Sequence, residues 1–148
     1  MDRIDFLFDA NNTQKFEPIK KVASGGELSR LMLCIKSLVA TSVNLTTLIF
    51  DEIDTGVSGE IAIKMGQMLS QMGQGHQIIA ITHLPQIAAA GQNHWFVYKN
   101  HSGEKTISAL KKLIGEERVE EIAKMIGGQK GYVDLKENVR KLILENQK

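Results

Sequence analysis

Ser24, Gly25 and Gly26 stand just ahead of a long apolar-periodic segment that runs from Leu28 to about Val43. Adjacent glycines let a backbone approach a ligand closely, and the first free N–H groups of a helix point at negative charge. The layout therefore suits an anion. On its own a Ser-Gly-Gly is an ordinary turn and N-cap sequence. Here a second chemically loaded stretch follows, because the apolar run Thr47–Phe50 ends on Asp51 and Glu52. Adjacent carboxylates at a strand end point to opposite faces, so they divide the work. One can hold a hard cation such as Mg²⁺, directly or through water, and the other can polarise a water or act as a base. A third apolar run, Gln77–Thr82, ends on His83, and Leu84-Pro85 then opens a short helix. If the two runs are parallel neighbours, His83 shares a sheet edge with the acidic pair and can contact a phosphate or a water there.

Those positions require strands interleaved with helices. The pattern predicts strands at Ile4–Phe8, Thr46–Asp51, Gln77–Thr82, Trp95–Lys99 and Thr106–Leu110. It predicts helices from Glu27 to about Thr41, from Ser58 as N-cap to Met72 with Gly73 closing, over Pro85–Ala90, and over about Glu116–Ile126. Asn11-Asn12 and His101-Ser102-Gly103 read as turns. Met65, Met68 and Met72 lie three and four apart, the spacing of a core face. The class is α/β, a mostly parallel sheet flanked by helices with an antiparallel edge from Ile4–Phe8 or Thr106–Leu110. The tail Tyr132–Lys148 carries Val139, Leu142, Ile143 and Leu144 at partly helical spacing and is expected to pack on the rest.

Composition narrows the function classes. The chain has 148 residues, 43% of them hydrophobic, which is enough for one domain or one large lobe. Eighteen basic residues against 17 acidic ones leave a formal charge of +1, which gives no electrostatic case for DNA binding by this segment itself. Aromatics at 5% argue against a base-stacking platform. One cysteine, Cys34, precludes an internal disulfide and is expected in the core; with no signal peptide or membrane-length apolar run, the expected location is the cytoplasm. His94 and His101 are expected at exposed ends without a role.

Taken together, these elements resemble the head domains of ABC-type ATPases, specifically their SMC-like branch. Ala23–Glu27 is similar to the signature loop, Leu48–Glu52 to Walker B with its catalytic glutamate, Asp54–Gly59 to the D-loop, and His83 to the switch histidine. Within that branch, Ala23–Arg30, Phe50–Gly59, Ile81–Gly91 and Arg118–Gly128, with the opening Ile4–Asn12, are similar in order and wording to the C-terminal part of bacterial DNA-repair members. Two departures stand out. Ala23 replaces the leucine that begins the general signature, and Ser58 stands where many SMC heads have the D-loop aspartate, which leaves Asp54 as the acid of that loop. The resemblance implies the C-terminal lobe of a P-loop ATPase head over residues 1–128, followed by a tail at 129–148 expected to be helical.

The resemblance also implies roles. Ser24, Gly25, Gly26 and Asp54 would contact ATP, Asp51 would support Mg²⁺, Glu52 would orient the attacking water and His83 would sense the γ-phosphate. In such heads the signature loop serves the nucleotide of a partner head, so ATP joins two protomers. The sequence contains no Gly-x-x-x-x-Gly-Lys-[Ser/Thr], the phosphate cradle of these enzymes. The expectation is therefore a lobe that is inactive alone and is completed by an N-terminal P-loop lobe and a second head. DNA would be the partner of the whole protein, in recombinational double-strand-break repair near the nucleoid. The alternatives are a non-catalytic lobe that binds or regulates a head, and the lobe of another SMC-like ATPase.

Overall fold

The computed structural model describes residues 4–9, 13–22, 24–51, 53–102 and 105–146. Two short strands, β1 (Leu7–Phe8) and β2 (Glu17–Pro18), pair antiparallel near the start. The pairing begins later than the apolar run at Ile4 suggests, and the predicted turn at Asn11-Asn12 lies outside the described residues. A single helical turn, α1 (Ile19–Val22), leads on to the 18-residue helix α2 (Gly25–Ser42).

Helix α2 begins where its local chemistry dictates. Ser24 adopts an extended backbone and accepts from the Glu27 amide, while the Glu27 side chain returns to the Ser24 amide, so two orphan donors are satisfied reciprocally. Leu33 and Ala40 bury the inner face of the helix. Cys34 follows Leu33 by one step, about 100° round the helix axis, and is exposed, contrary to the expected core position.

Strand β3 (Thr47–Phe50) then pairs in parallel with β4 (Gln77–Ala80), in a register that sets Thr47 opposite Gln77 and Phe50 opposite Ala80. The crossover between them is α3 (Gly59–Met72). Its buried stripe of Ala62, Met65, Gly66, Leu69 and Met72 covers the face of the pair that carries Leu48 and Phe50. Met68 packs beside the stripe, as the methionine spacing predicts. Gly73 closes the helix.

The six-residue helix α4 (Pro85–Ala90) starts with proline in its first turn and lies against α3. A side chain at Gly66 would come within 3.0 Å of the Ala90 methyl and 3.2 Å of the Gln86 carbonyl oxygen, so the glycine permits the close approach. Helix α4 joins two cores, because Ile87 belongs to the cluster around β3 and α3 while Ala89 belongs to a second one.

That second core joins α4 to the C-terminal helices. Strands β5 (His94–Ser102) and β6 (Lys105–Leu113) form an antiparallel hairpin, longer than the two predicted strands; Gly103 of the predicted turn lies outside the described residues. Helix α5 (Glu116–Gly131) contains a kink at Gly128, where φ reaches 68°. A 3-10 turn at Val133–Leu135 leads into α6 (Lys136–Glu145), whose Val139 is wholly buried with Ile122 and Ala123 of α5 and Ala89 of α4. Val133–Leu135 and Lys136–Glu145 are thus helical, and α6 packs on α5 through Val139. Overall this is a mixed α/β fold in which parallel pairing is carried by β3 and β4 and antiparallel pairing by the two flanking strand pairs.

Candidate functional site

The C-terminal edge of the β3–β4 pair is where the predicted chemistry converges. The ladder runs one step past the strands, because the Ile81 amide bonds to the Phe50 carbonyl at 2.9 Å. Asp51 therefore leaves β3 level with the segment that leads to His83. Asp51 is exposed; Glu52 lies outside the described residues.

Asp54 turns back inside and is 2% exposed. Its Oδ2 accepts from the Thr82 hydroxyl at 2.5 Å and from the His83 amide at 2.9 Å, and Nδ1 of the His83 ring stands 3.1 Å from the same oxygen. Burial pushes this carboxyl up, but the bonds from Thr82 and His83 outweigh it, so Asp54 sits below the ordinary carboxylate value. The Thr82 hydroxyl in turn accepts the Leu84 amide at 3.0 Å, which carries the network to the start of α4. The His83 side chain is 73% exposed, so a ring anchored on one edge presents the other to solvent.

Ser24 and Gly25 lie exposed at the N-terminus of α2, with Gly26 partly covered. A side chain at Gly25 would meet nothing within 4 Å, whereas one at Gly26 would stand 3.0 Å from the Thr55 carbonyl oxygen. The start of α2 thus rests on the turn that contains Asp54. Beside it, a groove of about 220 Å³ runs between α2 and the end of β3, with Ser29, Met32 and Lys36 on one side and Phe50 and Asp51 on the other. A larger groove of about 460 Å³ lies away from these residues, between the Phe96 and Tyr98 face of β5 and the Glu117 and Lys124 face of α5.

Among the described residues, no three His, Cys, Asp or Glu side chains are grouped to hold a metal ion. An exposed carboxylate such as Asp51 would nonetheless suit Mg²⁺, which binds through one or two carboxylates, substrate phosphates and waters. No described helix is long and apolar enough to cross a membrane.

Two buried or half-buried polar anchors escaped the sequence reading. Thr82 links Asp54 to α4, and only its position directly before His83 hinted at this. Arg118 is 8% exposed and donates to the carbonyl oxygens of Ala88, Ala89 and Gly91 at the end of α4. His94 was expected at an exposed end, yet it is half-buried, with Nδ1 enclosed and without a described partner.

The fold is similar to that of a chain solved in work on SMC ATPases. A solved chain from work on the structural biochemistry of ATP-driven dimerization and DNA stimulated activation of SMC ATPases matches 80% of this chain. The match covers 70% of that chain, with a TM-score of 0.61 and 19% identity. In sequence the chain is RecN-like over nearly its whole length. It is 40% identical over 143 residues to the DNA repair protein RecN of Vibrio cholerae, a match covering 97% of this chain and 26% of the relative. It is 41% identical over 128 residues to RecN of Bacillus subtilis and 45% over 127 residues to RecN of Xylella fastidiosa. Each of these matches covers 86% of this chain, and 22% and 23% of those relatives respectively. The chain thus spans about a quarter of the length of the curated relatives it matches. No protein-family model matches it.

Proposed function

We propose that this chain is the C-terminal lobe of an SMC-like ATPase head that works in DNA double-strand-break repair. The observation that carries the reading is the shared turn after β3. It follows Asp51, holds His83 through Asp54, and supports the start of α2 at Gly26. Groups meant for one nucleotide and groups meant for a partner's nucleotide are therefore mechanically adjacent.

In this reading Ser24, Gly25 and Gly26 offer amides and a hydroxyl to the γ-phosphate of ATP bound by a second head. Asp51 holds Mg²⁺, which neutralises phosphate charge when bound. Glu52 orients the attacking water, and His83 contacts the terminal phosphate. Phosphoryl transfer asks a protein mainly for positioning and electrostatics, which these few groups supply. The phosphate cradle comes from an N-terminal P-loop lobe, so the chain alone does not turn over ATP. DNA is a partner of the whole protein, in the cytoplasm at the nucleoid.

The test combines this chain with the P-loop-bearing segment of a RecN relative and measures ATP hydrolysis and head association. Hydrolysis is expected from the combination and not from either part. Glu52→Gln should abolish turnover while stabilising an ATP-bound dimer. A combined head that binds ATP yet neither hydrolyses it nor associates would overturn the enzyme reading in favour of a non-catalytic, head-binding lobe.

A further inference from the structure

We propose that Asp54 is a positioning residue for His83: it anchors the backbone and one ring edge of the histidine and thereby aims Nε2 out of the fold toward the nucleotide. The inference rests on the reading of His83 as the group that contacts the terminal phosphate. It assigns Asp54 a role different from that of a direct ligand of ATP.

Geometry separates the two roles. A ligand of an incoming nucleotide needs its oxygens accessible, and Asp54 is 2% exposed. One of its oxygens already faces two donors from the neighbouring segment, the Thr82 hydroxyl and the His83 amide, besides the Nδ1 edge of the His83 ring. A carboxylate can only accept, so in this proposal the nitrogen 3.1 Å from it, Nδ1, carries the ring proton and Nε2 is the solvent-facing nitrogen. A free imidazole carries no such instruction. A carboxylate behind a histidine therefore sets both the tautomer and the direction of the ring.

The surroundings hold Asp54 firmly enough to do this. The Thr82 hydroxyl donates to Asp54 and accepts from the Leu84 amide, so its single proton is committed in one direction. Ile53 and Val57, on either side along the chain, are buried in the core that includes Phe50 and Met65. The carboxylate thus stands on a packed base, while the ring it holds is 73% exposed. A buried anchor with an exposed working end is the arrangement expected where a side chain must be aimed before its ligand arrives.

The inference can be tested on the chain itself, without nucleotide. Imidazole nitrogen shifts are measured by ¹⁵N NMR, with His83→Gln to assign the His83 signals. Wild-type His83 should show a protonated Nδ1 and an unprotonated Nε2. In Asp54→Ala, which removes the oxygen that Nδ1 faces, that preference should be lost while the melting curve shows the chain still folded. Thr82→Val, which leaves the carboxylate in place, should retain it. An unrestrained Nε2–H tautomer in the wild type, or identical His83 shifts in Asp54→Ala, would overturn the proposal.

A second measurement uses the head combined with its P-loop-bearing segment. Asp54→Ala should lower kcat by about tenfold or more with KM for ATP changed less than about threefold, the signature of a group that acts through another. A large rise in KM at unchanged kcat would make Asp54 a nucleotide ligand and sink the idea. If the wild-type combination does not hydrolyse ATP at all, the ATPase reading fails, and the ring measurement still decides whether Asp54 aims His83.

Discussion

Nη2 of Arg118 donates to the carbonyl oxygen of Ala89 at 3.0 Å, so a cation on α5 caps the C-terminal end of α4. Carbonyls at a helix end carry partial negative charge, and a buried guanidinium satisfies several of them at once. Burial holds Arg118 below its ordinary value, yet an arginine remains charged. Arg118→Met keeps most of the volume and removes the donors. It should cost about 2 kcal/mol, the scale of a hydrogen bond to a charged group, read as a lower denaturation midpoint.

The two glycines of the Ser-Gly-Gly loop should respond differently to a methyl group. Gly25→Ala meets nothing within 4 Å and should leave the melting temperature unchanged or slightly raised. Gly26→Ala places a carbon 3.0 Å from the Thr55 carbonyl oxygen and should cost about 1–2 kcal/mol through overpacking. In the combined head both should weaken ATP-driven association, so only the melt separates packing from ligand approach.

His94 supplies a pH dependence. Burial, and then the field of Arg118, hold its ring below the ordinary value of 6.5. Below that pH the unfolded chain takes up a proton that the folded chain refuses. The stability contribution is therefore complete above pH 6.5 and is lost as pH falls from there through the lower folded value. Thermal melts at decreasing pH should show this loss, and His94→Gln should flatten the profile in that window. An unchanged profile in the variant would assign the acid sensitivity to carboxylates.

Val139 reports on the docking of α6. Its side chain is fully enclosed among Ile122, Ala123 and Ala89. Val139→Ala should cost about 2 kcal/mol by cavity formation. Loss of amide-exchange protection concentrated in α5 and α6, with β3 and β4 spared, would identify the second core as a separate unit of opening.

Local signals carried much of the fold. The capping pair Ser24 and Glu27, Pro85 in the first turn of α4 and Gly73 after α3 are legible because the chemistry lies within a few residues of chain. The common edge of Asp51 and His83 was legible too, since two apolar runs joined by a helix are best paired in parallel. Facing was harder to read. Cys34 and Leu33 are both apolar neighbours on α2, and only the position of the sheet decides which one it covers. Arg118 and His94 look like surface residues until α4 and the hairpin are brought together. The inward turn of Asp54 is set by donors 28 and 29 residues away, which no local pattern encodes.

The cap of α2 also shapes how the Ser-Gly-Gly loop meets a guest. The Ser24 amide already bonds to Glu27 Oε2 at 2.7 Å, and that bond holds the Glu27 carboxyl below its ordinary value. The helix start thus carries a tethered anion of its own. A phosphate arriving there competes with a carboxylate that cannot diffuse away. The contest favours a visitor that brings its countercharge along, and it tilts back as soon as that countercharge departs. If the loop binds a partner head's ATP as proposed, a resident rival of this kind limits the adhesion between the heads.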